Sequence, residues 1–209
     1  MLSSVVFLIG VELVDAKGMR KIFAERPVEF WVALITALVV IFIGVEQGIL
    51  LAIVLSIIIH TAHGYKPKNT LLSTDSSGRL HSVPVSSHTQ IVPGLMIYRF
   101  QHSMYYANAE LFTQEVSDLV RSAQPSLSWF CIDMTAVDDV DFSAAATLRE
   151  TYKLLKEQGV RLVLSQVDEG VRRELDLSNV TALVGKDAYF ETLGDVHDAF
   201  SAMTPEEKP

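Results

Sequence analysis

The chain has 209 residues, a formal net charge of −8 and 49% hydrophobic residues. The acidic charge disfavours nucleic-acid binding, because a protein that binds nucleic acid needs a basic face to neutralise phosphates. The single cysteine, Cys131, excludes an intrachain disulfide and a cysteine-based zinc site, and its place in an apolar run predicts a buried packing role. Val, Ile, Leu and Ala dominate residues 2–60, whereas the composition from Tyr65 onward is that of an ordinary globular domain. This step in composition predicts two domains.

The first apolar run, Leu2–Val14, is short and contains Glu12. It lacks the basic start and the small-residue cleavage site of a signal peptide. It is typical instead of a membrane helix entered partway along its length. We therefore expect the chain to be a piece of a longer protein.

Two further apolar runs, Val28–Val45 and Ile49–Ile59, predict a membrane hairpin. One continuous helix over both runs would be about 50 Å long at about 1.5 Å per residue, whereas the hydrocarbon core of a bilayer is about 30 Å thick. We therefore expect two short helices that turn at Glu46-Gln47. Gly44 and Gly48 form a GxxxG pattern, which we interpret as two glycines that bracket this turn rather than as a dimerisation motif. An intramembrane ion or proton site at Glu46 is the less favoured alternative.

Basic residues flank the predicted hairpin on both sides and place both flanks in the cytoplasm by the positive-inside rule. Between Asp15 and Arg26, apolar and basic side chains fall on different helical faces, which predicts a short amphipathic helix on the inner membrane surface. The flanking basic residues are Lys17, Arg20, Lys21 and Arg26 before the hairpin, and Lys66 and Lys68 after it.

The second half begins with residues 65–90, a stretch rich in Ser, Thr, Pro and Gly that predicts a linker. Strands and helices then alternate, which predicts an α/β sheet with helical crossovers. The six histidines show no metal-ligand spacing, so no metal site is expected. The predicted strands are Leu95–Phe100, Met104–Tyr106, Trp129–Met134, Arg161–Ser165 and Val180–Leu183, and the predicted helices run from Asn108 as N-cap to Arg121, from Asp141 to a stop at Gly159, from Asp168 to Leu177 and from Thr192 to Met203.

Four motifs of the second half carry a family resemblance. Val92-Pro-Gly-Leu-Met-Ile-Tyr-Arg-Phe and Met104-Tyr-Tyr-Ala-Asn-Ala-Glu closely resemble the opening of STAS domains in SulP anion transporters. Trp129-Phe-Cys-Ile-Asp-Met and Val140-Asp-Phe-Ser-Ala-Ala-Ala-Thr-Leu resemble that family's central strand and its loop-to-helix motif. The apolar helices that precede them resemble the last membrane helices of such a transporter. The order of these features is more specific than any one of them.

The resemblance implies a multi-pass protein of the bacterial inner membrane with three parts. Residues 1–64 would be the last transmembrane helices, residues 65–90 a linker, and residues 91–204 a cytoplasmic STAS domain with a mixed sheet flanked by helices. The implied function is secondary transport of sulfate, bicarbonate, chloride or dicarboxylates, with the STAS domain serving regulation and dimerisation. The family's substrate site lies in earlier helices, so no residue here is assigned to substrate, and no cofactor is implied. The expected partners are the lipid bilayer, a second copy of the protein, the transported anion and a cytoplasmic protein that binds the STAS domain.

The segment Asp138-Asp139-Val140-Asp141-Phe142-Ser143 is the most suggestive local site. In the related anti-sigma-factor antagonists a serine at the start of this helix is phosphorylated, so the resemblance makes Ser143, Asp141 and Asp139 candidate regulatory residues. A helix N-terminus favours an added phosphate, whereas neighbouring carboxylates oppose it. The alternative is that Asp141 caps the helix and Ser143 satisfies a first-turn amide. A metal site built from the aspartates is disfavoured, because such a run is usually a solvated loop.

The sequence also fits a second class of function. This is a membrane-tethered STAS module that signals by binding a protein partner and needs no transporter core. An enzyme is not expected, because the sequence offers no nucleophile–base pair and no Gly-rich phosphate loop.

Overall fold

The computed structural model describes residues 15–64, 67–75 and 77–203. The chain divides into two compact units, Met1–Ala62 and His63–Pro209. The predicted apolar run Leu2–Val14 lies outside the described residues.

The first unit is helical and contains α1 (Ala16–Glu25), α2 (Pro27–Phe42) and α3 (Val45–Gly64). The Asp15 side chain caps α1 by accepting a hydrogen bond of 2.8 Å from the Gly18 amide, and a proline at its first position begins α2. The predicted break between two helices is confirmed, but it lies at Ile43-Gly44 rather than at Glu46-Gln47. Gly44 adopts a φ of 149°, which only glycine adopts readily, and Glu46 belongs to the first turn of α3.

The two glycines of the GxxxG pattern have different roles within this unit. Gly44 forms the break, as the interpretation of a turn required. Gly48 is buried, and a Cβ atom there would collide with the Val40 side chain of α2. Gly48 therefore allows α3 to approach α2 closely. Among the described residues, no helix combines the length and the apolar character that crossing a membrane requires.

The second unit contains a six-stranded sheet made of β1 (Thr70–Thr74), β2 (Leu80–Pro84), β3 (Leu95–Arg99), β4 (Trp129–Asp133), β5 (Arg161–Ser165) and β6 (Tyr189–Phe190). The order of the strands across the sheet is β2-β1-β3-β4-β5-β6. β1 pairs antiparallel with both β2 and β3, whereas the pairs β3–β4, β4–β5 and β5–β6 are parallel. The sheet is therefore mixed, as predicted.

Helices cover both faces of the sheet. The strands β3, β4 and β5 are therefore buried on both faces, which explains their continuous apolar runs. Tyr98 and Phe130 lie in the larger core cluster with Phe112 of the first crossover helix, whereas Trp129 packs on the other face against Phe200. The helices are α4 (Tyr106–Ser122), α5 (Phe142–Glu157), α6 (Glu169–Leu177), α7 (Val180–Val184) and α8 (Leu193–Met203).

Part of the segment predicted as a linker belongs to the sheet. Within residues 65–90, β1 and β2 form an antiparallel pair, and β1 also pairs with β3. Leu71 is fully buried in the larger core cluster. At the start of β1, the Asn69 amide group donates to Glu115 Oε2 at 2.8 Å, and the Tyr98 hydroxyl donates to the same oxygen at 2.6 Å. The chain is thus anchored to the domain from Asn69 onward.

Three predictions of local structure were wrong in detail. Met104 makes only an isolated bridge to Val140 instead of forming a strand. The N-cap of α4 is Tyr105, and the predicted cap Asn108 lies inside the helix, where its Oδ1 accepts from the Tyr105 amide at 3.0 Å. The apolar run Val180–Leu183 is helical, because a short apolar run does not by itself distinguish a strand from a buried helix.

Candidate functional site

The acidic loop, residues 135–141, connects β4 to α5 and lies against the segment that precedes α4. Met104 bridges the two segments through its backbone: its amide donates to the Asp139 carbonyl at 2.9 Å, and its carbonyl accepts from the Asp141 amide at 2.9 Å. The loop is therefore held by a segment about 35 residues earlier in the chain.

Asp141 has the capping role that the sequence predicted. It is the N-cap of α5, and its Oδ1 accepts from the Ala144 amide at 2.7 Å. Its Oδ2 accepts from the Tyr106 amide at 2.9 Å, and Tyr106 is the first residue of α4. One carboxylate thus binds free amides at the beginnings of two helices, where negative charge is favourable.

The other two carboxylates of the loop also have partners. The Ser103 hydroxyl donates to Asp138 Oδ1, and the Tyr105 hydroxyl interacts with Asp139. A hydrogen bond with Ser103 lowers the pKa of Tyr105, but partial burial and the negative charge of Asp139 together raise it above the ordinary value. Across the described residues, no group of three His, Cys, Asp or Glu side chains is arranged to hold a metal ion.

Ser143 lies at the second position of α5 and is partly exposed. Its carbonyl accepts from the Thr147 hydroxyl at 3.1 Å, but its own hydroxyl makes no hydrogen bond to any described residue. The Ala144 amide that a first-turn serine would bind is bound by Asp141 instead. The predicted alternative, in which the Ser143 hydroxyl satisfies a first-turn amide, is therefore not what the described residues show.

An open groove of about 620 Å³ lies beside the acidic loop, between α5 and α6. Phe142 and Leu177 line it and are 83% and 85% exposed, which is unusual for side chains of their size. The polar groups of the groove are held in place: Glu174 accepts from the Val140 amide at 2.9 Å, and Arg149 donates to the Ser178 carbonyl at 2.8 Å. Sequence reasoning did not identify this groove, because its two walls come from different helices.

A second polar cluster lies at the carboxyl ends of the central strands and was also missed. Asp133 is fully buried, and its Oδ2 accepts from Arg99 Nε at 2.6 Å. Its Oδ1 accepts from the Thr135 amide at 3.0 Å. Because every carboxylate oxygen has a donor, the buried charge is compensated. The only sequence signal was an aspartate at the end of an otherwise apolar run.

Cys131 is buried in β4, as predicted. Burial raises the pKa of its thiol to about 12. Its Sγ lies 3.4 Å from Ser165 Oγ on the neighbouring strand. A thiol that stays protonated and shielded from water is a packing group.

Residues 86–198 match the STAS domain family, and the chain belongs to that family. Homology to the SulP/SLC26 sulfate transporters extends over most of the chain. The chain is 26% identical over 200 residues to a probable sulfate transporter of Mycobacterium tuberculosis. That alignment covers 95% of this chain and 36% of the relative. The chain is 24% identical to sulfate transporter 1.3 of Arabidopsis thaliana, with 99% of this chain and 33% of the relative covered.

The chain thus spans about a third of the length of the curated relatives that it matches. The same holds for a solved structure, the murine solute carrier 26 family member A9 anion transporter in the inward-facing state. That structure matches with a TM-score of 0.76 and 18% identity over 94% of this chain and 33% of the transporter chain. The likeness shows a shared fold. The relatives are named as transporters, not as enzymes.

Proposed function

We propose that the chain is the C-terminal part of a SulP-type secondary anion transporter, in which the STAS domain serves regulation and dimerisation. The similarity to the mycobacterial sulfate transporter carries this proposal, because it covers 95% of the chain and therefore runs through the helical unit as well as the STAS domain. The transported anion would be sulfate, bicarbonate or a dicarboxylate. Its binding site would lie in transporter helices outside this chain, so the chain alone would not transport.

The surface of the helical unit supports a place in a membrane protein. Ile41, Phe42 and Ile43 are 72%, 80% and 66% exposed, and further large aliphatic side chains of α2 and α3 are more than half exposed. Such an apolar surface needs an apolar cover. We propose that lipid and neighbouring transporter helices cover it in the bacterial inner membrane, with the STAS domain on the cytoplasmic side.

A graft tests the transport function. The C-terminal third of the mycobacterial relative would be replaced by this chain, and uptake of labelled sulfate measured in a host that lacks its own sulfate uptake. We expect the graft to take up more sulfate than the same transporter truncated at the junction. A graft truncated after Gly64, which carries the helical unit alone, measures the contribution of the STAS domain. A graft that reaches the membrane in normal amounts but transports no more than the truncated protein contradicts the proposal.

Dimerisation is tested separately by light scattering. The mass of the full chain in detergent would be compared with that of residues 67–209, a fragment that begins ahead of Asn69 and so retains all strands of the sheet. A dimer formed by the full chain supports a role in transporter assembly. A monomer in both forms contradicts dimerisation through this part of the protein.

A membrane-tethered STAS module that binds a protein partner is the second candidate function, and the free hydroxyl of Ser143 favours it. A phosphate at the second position of α5 would gain from the amides at the helix N-terminus. It would also lie close in sequence to Asp139 and Asp141, whose charges oppose it. Mass spectrometry of the chain from its native cells checks for phosphate on Ser143, with Ser143→Ala as the control. A phosphopeptide that is absent under several growth conditions argues against this function.

A further inference from the structure

Helix α1 carries apolar and basic side chains on opposite faces. At about 100° per residue, the centres of the two sets lie about 160° apart around the helix axis. Phe23 and Ile22 on the apolar face are 49% and 38% exposed. The apolar set is Met19, Ile22 and Phe23, and the basic set is Lys17, Arg20 and Lys21.

An exposed aromatic group continues the apolar face of α1 into the start of α2. The ring centroids of Phe23 and Phe30 lie 4.9 Å apart, and those of Phe30 and Trp31 lie 5.8 Å apart. Both pairs have edge-to-face geometry. Trp31 is 54% exposed. Phe and Trp next to Lys and Arg are the composition of helices that lie at the boundary between lipid headgroups and acyl chains.

Two cations of α1 have no counter-ion within the described part of the chain. Lys21 pairs with Glu25 at 3.9 Å, and Arg26 pairs with Glu29 at 2.9 Å. Lys17 and Arg20 form no ion pair with any described residue. Although the chain has a net charge of −8, these two cations lie on one exposed face and are available to bind an external anion.

We propose that α1 lies in the headgroup layer of an anionic membrane leaflet. Phe23 and Trp31 would enter the upper acyl region, while Lys17 and Arg20 would bind the phosphates of anionic lipids. The apolar face argues for lipid headgroups over free phosphate, because a soluble anion would leave Phe23 and Trp31 exposed to water. The inference rests on the proposed membrane location and adds a lipid selectivity that the transporter function does not require.

Tryptophan quenching by brominated lipids tests the proposal in the full chain reconstituted into vesicles. The reporter variant, Phe23→Trp with Trp31→Phe, places the emitting ring on α1, and the natural chain reports from Trp31. Trp129 is 4% exposed in the core of the sheet and gives a constant background. Quenching is compared between brominated phosphatidylglycerol and brominated phosphatidylcholine in otherwise identical vesicles.

We expect the anionic brominated lipid to quench the reporter at position 23 more strongly than the zwitterionic one. Neutralising Lys17 and Arg20 together (K17Q/R20Q) should remove this preference, since each basic residue near an anionic surface changes association about fivefold. The two substitutions together should weaken docking of α1 about 25-fold. The matched control K153Q/K156Q changes the net charge equally on α5 and should leave the preference intact.

The other outcomes overturn the proposal and distinguish it from the proposed function. Equal quenching by both lipids, unchanged in K17Q/R20Q, contradicts headgroup selection. Quenching of Trp31 without quenching at position 23 contradicts the docking of α1 but leaves the membrane location standing. A chain that does not float with the vesicles and shows no quenching at either position overturns both.

Discussion

Truncation of Leu71 to alanine tests whether β1 is an integral part of the STAS domain. Leu71 is fully buried, pairs with Tyr98 of β3 and packs in the same core cluster as Phe112. Replacing a fully buried leucine by alanine costs about 2–5 kcal/mol, from lost transfer free energy and the cavity left behind. Because Leu71 is fully buried in the larger core cluster, where neighbouring side chains relax only partially into a cavity, we expect a loss of about 3 kcal/mol in the free energy of unfolding.

Urea denaturation of residues 67–209, followed by circular dichroism, measures this loss. With a slope of about 1.5 kcal/mol per molar urea, the midpoint should fall by about 2 M. Leu80→Ala is the matched control, because Leu80 lies on β2 but is 47% exposed, and surface substitutions usually change stability by less than about 0.5 kcal/mol. A midpoint for Leu71→Ala within experimental error of that for Leu80→Ala would refute the reasoning. A fragment that begins at Thr89 lacks β1 and β2 and should not unfold cooperatively.

Three further predictions concern the site residues. Asp141→Ala removes the cap of α5 and should lower the free energy of unfolding by about 1–2 kcal/mol, whereas Asp141→Asn, which still accepts from the Ala144 amide, should recover most of it in the same urea assay. Arg99→Leu leaves the carboxylate of Asp133 buried without its cation and should cost about 3–5 kcal/mol; an equal stability of wild type and variant would refute the pairing. Because burial raises the pKa of Cys131 to about 12, its thiol should stay unreactive towards iodoacetamide at pH 8 in the folded protein and react on unfolding, a difference that mass spectrometry detects.

Periodicity and apolar runs were sufficient to predict the parallel core of the sheet. The strands β3, β4 and β5 are continuous apolar runs, and the helices α4, α5 and α8 each have an apolar stripe. The pair β1–β2 could not be predicted in the same way, because it is antiparallel and half solvated. Of its ten residues, only Leu71 and Leu72 are buried, and its Ser, Thr and Pro residues are typical of a linker.

At the candidate site, local capping chemistry was predictable and tertiary contacts were not. Asp141 stands immediately before a segment with a helical apolar stripe, which indicated that it caps a helix. The second carboxylate oxygen of Asp141 accepts from the Tyr106 amide. This contact could not be predicted, because it depends on how α4 packs against α5. Ser103 and Asp138, which are in contact, lie 35 positions apart in the chain. The residue spacing within either motif does not predict this contact.

The two edge strands of the sheet limit how copies of this domain can associate. One edge is β6, which has only two residues, and the other is β2, which ends at Pro84 and therefore lacks one backbone donor. Short edges and edge prolines are devices by which sheet proteins avoid adding strands from another molecule. At high local concentration, copies of this domain would thus resist edge-to-edge aggregation, and its helical surfaces are the better place for contacts between copies.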